Sequence, residues 1–198
     1  MIITISRQCG SGGHTIGKLL AESLGYDFYD KEIIKTVSAE SGLSEKTVER
    51  EGEYSTTSLL YNIAVNGISP YNVSNKDHML VRDLVNAYQV DFIKKTAEKG
   101  NCVIIGRSAD YILRERNDCI NVFVHGDLSD RVKRVIEEHG INASEAEHHV
   151  RERDKKRAKY YRHITDQVWG MAENYDLCLN SSKLGIELCV GMIIKAVR

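Results

Sequence analysis

The sequence predicts an α/β domain of three layers, with helices on both faces of a parallel sheet. Three observations predict it. Short, predominantly apolar runs at 2–5, 102–105 and 121–124 are of strand length and lack the alternation of a half-exposed strand. Stretches with apolar residues at helical spacing separate them, beginning with Ile16, Leu19, Leu20 and Leu24. Between the first strand and the first helix lies a turn with three glycines, Gly10, Gly12 and Gly13. Strands and helices alternating in this way give a sheet covered on both sides by right-handed crossovers.

A strand, a glycine-rich turn and a helix in that order make a phosphate-binding unit. Glycines let backbone N–H groups converge, and the helix N-terminus adds partial positive charge. A dinucleotide turn, G-x-G-x-x-G, fails because its third glycine would fall at Thr15. A P-loop, G-x-x-x-x-G-K-[ST], matches from Gly12 to Lys18, but Leu19 follows and Lys18 would lie a turn inside the helix. A better register sets Gly10-Ser-Gly-Gly-His-Thr15 against G-S-G-K-S-T. Gly13 then stands in the lysine's place, His14 in that of the magnesium-binding hydroxyl, and Arg7 in that of the first glycine. A tight β-to-α turn without a ligand is the alternative reading.

Composition bounds the rest. A chain of 198 residues suits one domain, 1–198, with a full core. A formal net charge of -1 argues against a protein dominated by nucleic-acid phosphate contacts, leaving room for a local basic patch. No run approaches ~18 apolar residues, so no membrane span is expected. The first residues enter a strand and have no signal-peptide layout. Cys9, Cys102, Cys119, Cys178 and Cys189 are odd in number and form no C-x-x-C pair, which speaks against a disulfide framework or a zinc ribbon. A cytoplasmic protein is expected.

Further along, Gly25 ends the first helix, Tyr26 to Tyr29 form a short strand, and Asp30 is placed either to cap the next helix or to face a ligand. Residues 44–75 are polar, with turn signals at Gly52, Gly67 and Ser69-Pro70; residues 76–98 form a longer helix with Leu80, Leu84, Tyr88, Ile93 and Ala97 on one side. The strand at 102–105 ends in Gly106-Arg107. Beyond the C-terminal end of a parallel strand, that arginine is well placed for a phosphate. Asp127 is expected to cap a helix carrying Asp130, Lys133 and Arg134, and Asn142-Ala-Ser-Glu145 to open a strongly charged one. In that helix Arg153 and Arg157 share a face. A solvated surface, a nucleic-acid contact and a phosphate-closing lid all fit the pattern. His139, His148 and His149 have no recognisable metal spacing. A last strand near 175–182 and an amphipathic helix through Ile186, Val190, Ile193, Ile194 and Val197 complete the chain.

Taken together, the N-terminal turn, Leu24-Gly-Tyr-Asp-Phe-Tyr-Asp30, Ile104-Ile-Gly-Arg107, Arg151-Glu-Arg-Asp154-Lys-Lys-Arg157 and Asp176-Leu-Cys-Leu-Asn-Ser-Ser182 resemble cytidylate kinases. Ile5-Ser-Arg-Gln-Cys-Gly-Ser-Gly-Gly13 and Lys156-Arg-Ala-Lys-Tyr-Tyr161 are similar to the cytidylate kinase-like family in particular. The resemblance covers nearly the whole chain and is thinnest from 44 to 90. It implies a P-loop kinase-like three-layer α/β/α fold, with residues 31–98 on the acceptor side and a helical lid at about 142–170. The implied activity is ATP-dependent phosphoryl transfer, with Mg2+, to a nucleoside monophosphate or similar small acceptor. The implied donor site is Arg7, Gly10, Ser11, Gly12, Gly13, His14 and Thr15. Asp30 and Arg107 would serve the acceptor, and Arg153, Asp154 and Arg157 catalysis from the lid; no metal ligand is identified. Two departures stand out. Gly13 replaces the loop lysine, and Ser108 follows Arg107 where cytidylate kinases carry Asp. Arg7 and His14 are the candidates to replace the lysine's charge, and Arg7 is favoured for its reach and its paired bonds. A non-catalytic nucleotide-binding or sensing module with a degenerate P-loop is the rival reading.

Overall fold

The computed structural model describes residues 1–51 and 81–197. The expected turns at Gly52, Gly67 and Ser69-Pro70, and the position of Leu80, lie outside the described residues. Five strands, β1 (Ile2–Arg7), β2 (Asp27–Tyr29), β3 (Cys102–Ile105), β4 (Cys119–His125) and β5 (Leu177–Asn180), form one sheet in the order β2-β3-β1-β4-β5. Every pairing is parallel. All five strands therefore end along one edge, where the glycine turn, Asp30 and Gly106-Arg107 follow β1, β2 and β3.

Alternation along β1 divides the core. Ile3 and Ile5 pack with Val103, Ile105, Val122 and Val124 against α1 (Gly13–Leu24), through Ile16 and Leu20, and against the C-terminal helix Ile186–Ala196 through Cys189 and Ile193. Ile2 packs on the other face with Cys102 and Ile104. That face is covered by α2 (Glu32–Ser41), α3 (Glu45–Glu51), α4 (Val81–Lys99) and the short α5 (Ala109–Ile112). Next come α6 (Leu128–His139) and α7 (Ala143–Thr165), then α8 (Ser181–Leu184) and α9 (Ile186–Ala196). Among the described residues no helix is long and apolar enough to cross a membrane.

Some local expectations are met, and others are corrected. Asn142 caps α7, its Oδ1 accepting the Ser144 N–H at 3.1 Å. Asp30 does not cap α2: Lys31 holds the cap position, and the Asp30 carboxylate turns instead to Arg7 and His14, at 3.9 and 3.4 Å. Asp127 holds the cap position of α6 without a capping bond, and pairs with Lys183 at 3.4 Å. In both cases a nearby cation offers the carboxylate more than a neutral N–H does. β1 runs two residues beyond the expected strand, because β4 continues to pair with it through Ser6↔Phe123 and Arg7↔Val124. Arg7 thus belongs to a strand rather than to the turn. Helix α4 was expected to bury one side, yet Asp83, Asn86, Gln89 and Thr96 are buried along with its apolar residues.

Candidate functional site

The glycine turn connects the end of β1 to α1. Gly10 and Gly12 have φ of 74° and 77°, the left-handed region that glycine enters without penalty. A Cβ on Gly10 would strike the Arg131 carbonyl oxygen, so the turn is packed as well as bent. Ser11 is fully buried and points away from any ligand, its Oγ 2.9 Å from the Gln8 carbonyl and 3.0 Å from that of Val124. Ser181 at the end of β5 donates to the Ser11 carbonyl at 2.7 Å. These bonds leave the first-turn N–H groups of α1, at Gly13, His14 and Thr15, without intrahelical partners, as at any helix start.

Three arginines brace the same turn. Arg131 Nη1 donates to the Cys9 carbonyl at 3.2 Å, Arg134 Nη1 to that of Gly10 at 2.6 Å, and Arg157 Nη1 to that of Arg7 at 3.1 Å. Asp154 of α7 accepts the Cys9 N–H at 2.7 Å through one oxygen and pairs with Arg131 at 2.6 Å through the other. Burial pushes the Cys9 thiol up and Asp154 adds to the rise, while the charges of Arg157, Arg153 and Arg131 oppose it. Helix α7, the expected lid, is thus seated on the donor turn by its middle. Ala146 and Val150 are buried on one side of that contact, and Tyr160, Tyr161 and Ile164 on the other.

Across the crevice, β3 ends in an unusual turn. Gly106, Arg107 and Ser108 have φ of 69°, 58° and 51°, three left-handed residues in succession. For Arg107 and Ser108 this costs on the order of 1 kcal/mol each, a strain that clusters at ligand sites. Arg107 Nη1 and Ser108 Oγ are buried and have no hydrogen-bond partner among the described residues. Asp30, just past β2, stands on the same edge with Arg7 and His14. The side chain of His14 is exposed and meets Phe28 edge-on, with ring centroids 5.4 Å apart.

Behind this edge lies a buried acid. Asp110 of α5 accepts the Tyr161 hydroxyl at 2.6 Å, which links the Gly-Arg turn to α7. Burial raises its pKa to about 6, against the opposing pull of the Tyr161 bond. The folded state thus holds a proton that the unfolded chain releases near pH ~3.9. Stability from this group is full below that value and is lost as pH rises through about 6. Two pKa units correspond to about 3 kcal/mol. Denaturant unfolding of the parent and Asp110→Asn should therefore diverge in the variant's favour by about 2–3 kcal/mol between pH ~4 and ~7. A pH-independent difference would show that Asp110 titrates normally.

The structure brings Arg7, His14, Asp30, Arg107 and Arg157 to one edge, beside the N-terminus of α1. It gives Gly10, Ser11 and Gly12 to the shape of the turn and Asp154 to an ion pair. Thr15 is partly exposed in the first turn of α1. Reading the residues missed Arg131 and Ser181, whose partners are 122 and 170 residues away. It also missed Asp83, Asn86 and Gln89, three residues apart along α4, each with a buried polar atom that has no hydrogen-bond partner among the described residues. Asn86 Oδ1 lies 3.5 Å from the Tyr160 hydroxyl of α7. Helix-start N–H groups and converging arginines fit a polyphosphate. Among the described residues no group of three or more His, Cys, Asp or Glu could hold a metal ion.

Comparison with known proteins bears on the family and the fold. The model of the cytidylate kinase-like family matches residues 2–183. A cytidylate kinase from Methanococcus vannielii is 28% identical over 201 residues, covering 100% of both chains. One from Pyrococcus horikoshii is 26% identical over 197 residues, covering 99% of this chain and 87% of its own. The crystal structure of an uncharacterized protein from Eubacterium ventriosum superposes with a TM-score of 0.70 at 29% identity, over 100% of this chain and 98% of the other. Shikimate kinase from Bacteroides thetaiotaomicron superposes with a TM-score of 0.56 at 14% identity, over 100% and 98%, a likeness of fold alone. The expected P-loop kinase-like fold is the observed one.

Proposed function

The chain belongs to the cytidylate kinase-like family, and from that premise we propose that it moves a phosphoryl group from ATP to a nucleoside monophosphate or a similar small acceptor. One observation carries the reading. Arg7 ends β1 beside the start of α1, Arg157 of α7 bonds its carbonyl, and the Arg7 side chain reaches the turn that carries Arg107, in a chain whose net charge is only -1. In-line transfer forms a bond from an acceptor oxygen to the γ-phosphorus as the bond to the bridging oxygen breaks, and ADP leaves with the electron pair. Such a reaction needs alignment and charge neutralisation more than covalent help. The Gly10–His14 backbone would hold the donor phosphates. Arg153 and Arg157 would meet the transferred group, and Arg107 the acceptor phosphate through paired bonds. Magnesium, when bound, adds charge neutralisation at the donor phosphates. Asp154 is assigned a positioning role, because both its oxygens are engaged by Arg131 and the Cys9 N–H.

The acceptor's other end would be read by Asp83, Asn86 and Gln89, supported by buried atoms that have no hydrogen-bond partner among the described residues. Ser108 in place of an aspartate argues for a base other than cytosine. ATP consumption over a panel of monophosphates tests the reaction and names the acceptor. Arg107→Ala should raise acceptor KM about 10–100-fold with little change in kcat; an unchanged KM would remove Arg107 from the acceptor site. A sensing module remains the second reading, favoured by Gly13 in the lysine's place. It predicts calorimetric binding of MgATP without turnover on any acceptor.

A further inference from the structure

We infer that Arg7 and Gly13 are an exchanged pair: the cation that a P-loop carries on its lysine is carried here by the last residue of β1, and Gly13 is the space it requires. The inference rests on the phosphotransferase reading and assigns its missing charge. In the pattern G-x-x-x-x-G-K-[ST] the first position is glycine and the seventh lysine; here they are Arg7 and Gly13. The two residues are in contact. A Cβ on Gly13 would lie 2.5 Å from Arg7 Cβ and 2.8 Å from its Cγ, whereas the next neighbour, Val124 Cβ, is at an ordinary 3.6 Å. Gly13 is not among the glycines with positive φ. Its backbone would accept a side chain, and among the described residues only residue 7 forbids one. Any residue but glycine at 7 thus demands glycine at 13, and lysine at 13 demands glycine at 7.

The far end of Arg7 locates the displaced charge. A Cβ on Gly106 would collide with Arg7 Nη1 and lie 3.3 Å from its Cζ, so the side chain runs from the donor turn to the Gly106-Arg107 turn. Asp30 Oδ1 stands 3.9 Å from Nη2, and His14 Nε2 3.4 Å from the other Asp30 oxygen. Arg157 holds the Arg7 carbonyl, which fixes the root of the side chain. At 21% exposure the side chain is shielded yet reachable from the crevice. A loop lysine reaches the β- and γ-phosphates as a single point charge. A guanidinium spanning both turns would bond a donor oxygen and still reach toward the Gly106-Arg107 turn on the acceptor side, with a planar fork that lysine lacks. Asp30 on this reading orients Arg7, in addition to any bond with the acceptor.

The test compares the parent with Arg7→Gly, Gly13→Lys and the double exchange Arg7→Gly/Gly13→Lys, by MgATP calorimetry, single-turnover rate and thermal midpoint. Arg7→Gly should weaken MgATP binding at least tenfold and slow transfer about 10²–10³-fold. Gly13→Lys alone should be destabilised and inactive, and the double exchange should recover at least tenfold over Arg7→Gly. Arg7→Gly with parental affinity and rate would overturn the inference while leaving the kinase reading intact. So would a double exchange that is as stable as the parent but no better than Arg7→Gly. If the double exchange does not fold, the Arg7→Gly result decides. A parent that binds MgATP without turnover still decides it through affinity, and a parent that binds no nucleotide overturns the kinase reading itself.

Discussion

Arg157→Ala is expected to slow phosphoryl transfer about a thousandfold, with MgATP affinity changed far less. The magnitude is that of removing one cation or donor aimed at charge developing in a transition state. Arg157 is half-buried on α7, and one of its five N–H groups is engaged at the Arg7 carbonyl, 3.1 Å away. That bond fixes the guanidinium at the end of β1, where the donor turn begins, and leaves the other N–H groups of its fork to meet the γ-phosphate on the proposed reading. The lost backbone bond alone would account for about 1 kcal/mol of stability. Single-turnover rates and thermal midpoints separate the two roles. A large rate loss at a nearly unchanged midpoint supports chemistry, whereas a rate within threefold of the parent makes Arg157 an anchor only. Arg157→Lys should rescue little, since an ammonium cannot hold a carbonyl and a phosphate in one plane.

How much of this was legible depends on whether a residue's signal is local. The glycine turn and β3 were, because a left-handed φ and a buried parallel strand each leave a mark on the adjoining residues. The role of α7 was only half legible. Its charges suggested a solvated face as readily as a lid. Yet Ala146, Val150, Asp154, Arg157, Tyr161 and Ile164 follow one another at intervals of four and three, a single stripe in which two charged residues occupy inward positions. A charge on the buried stripe of a helix implies a partner, and that signal separates the lid reading from the solvated one. The left-handed turn at 106–108 left no such mark beyond Gly106, because nothing in an arginine or a serine advertises positive φ. The capping expectation for Asp30 failed for a related reason. Arg7 and His14 are brought to it by the sheet, from a segment far along the chain. Gly13 is the sharpest case: read alone it is a lost lysine, and only its contact with Arg7 Cβ gives it a cause.

Asp154→Ala should cost the fold about 3–5 kcal/mol, the range for breaking a buried ion pair by removing one partner. The Asp154 and Arg131 side chains are 16% and 9% exposed, and their 2.6 Å contact is reinforced by the Cys9 N–H on the other carboxylate oxygen. Removing the carboxylate leaves the Arg131 guanidinium against the carbonyls of Gly126 and Cys9, at 3.0 and 3.2 Å, with no anion beside it. It also removes the acceptor of the Cys9 N–H at the root of the donor turn. Against a typical total of about 5–15 kcal/mol, such a loss should lower the melting midpoint by roughly 10 °C or more. Asp154→Asn keeps an acceptor for Cys9 but not the charge, and should fall between the two. The double variant Asp154→Leu/Arg131→Leu should be less destabilised than the single changes sum to, by about 2 kcal/mol or more, because no unpaired charge is left behind. Because Asp154 acts through the turn, Asp154→Asn assayed well below its midpoint should keep turnover within about tenfold of the parent. A parental midpoint joined to a rate loss of several orders of magnitude would instead place this carboxylate in the chemistry.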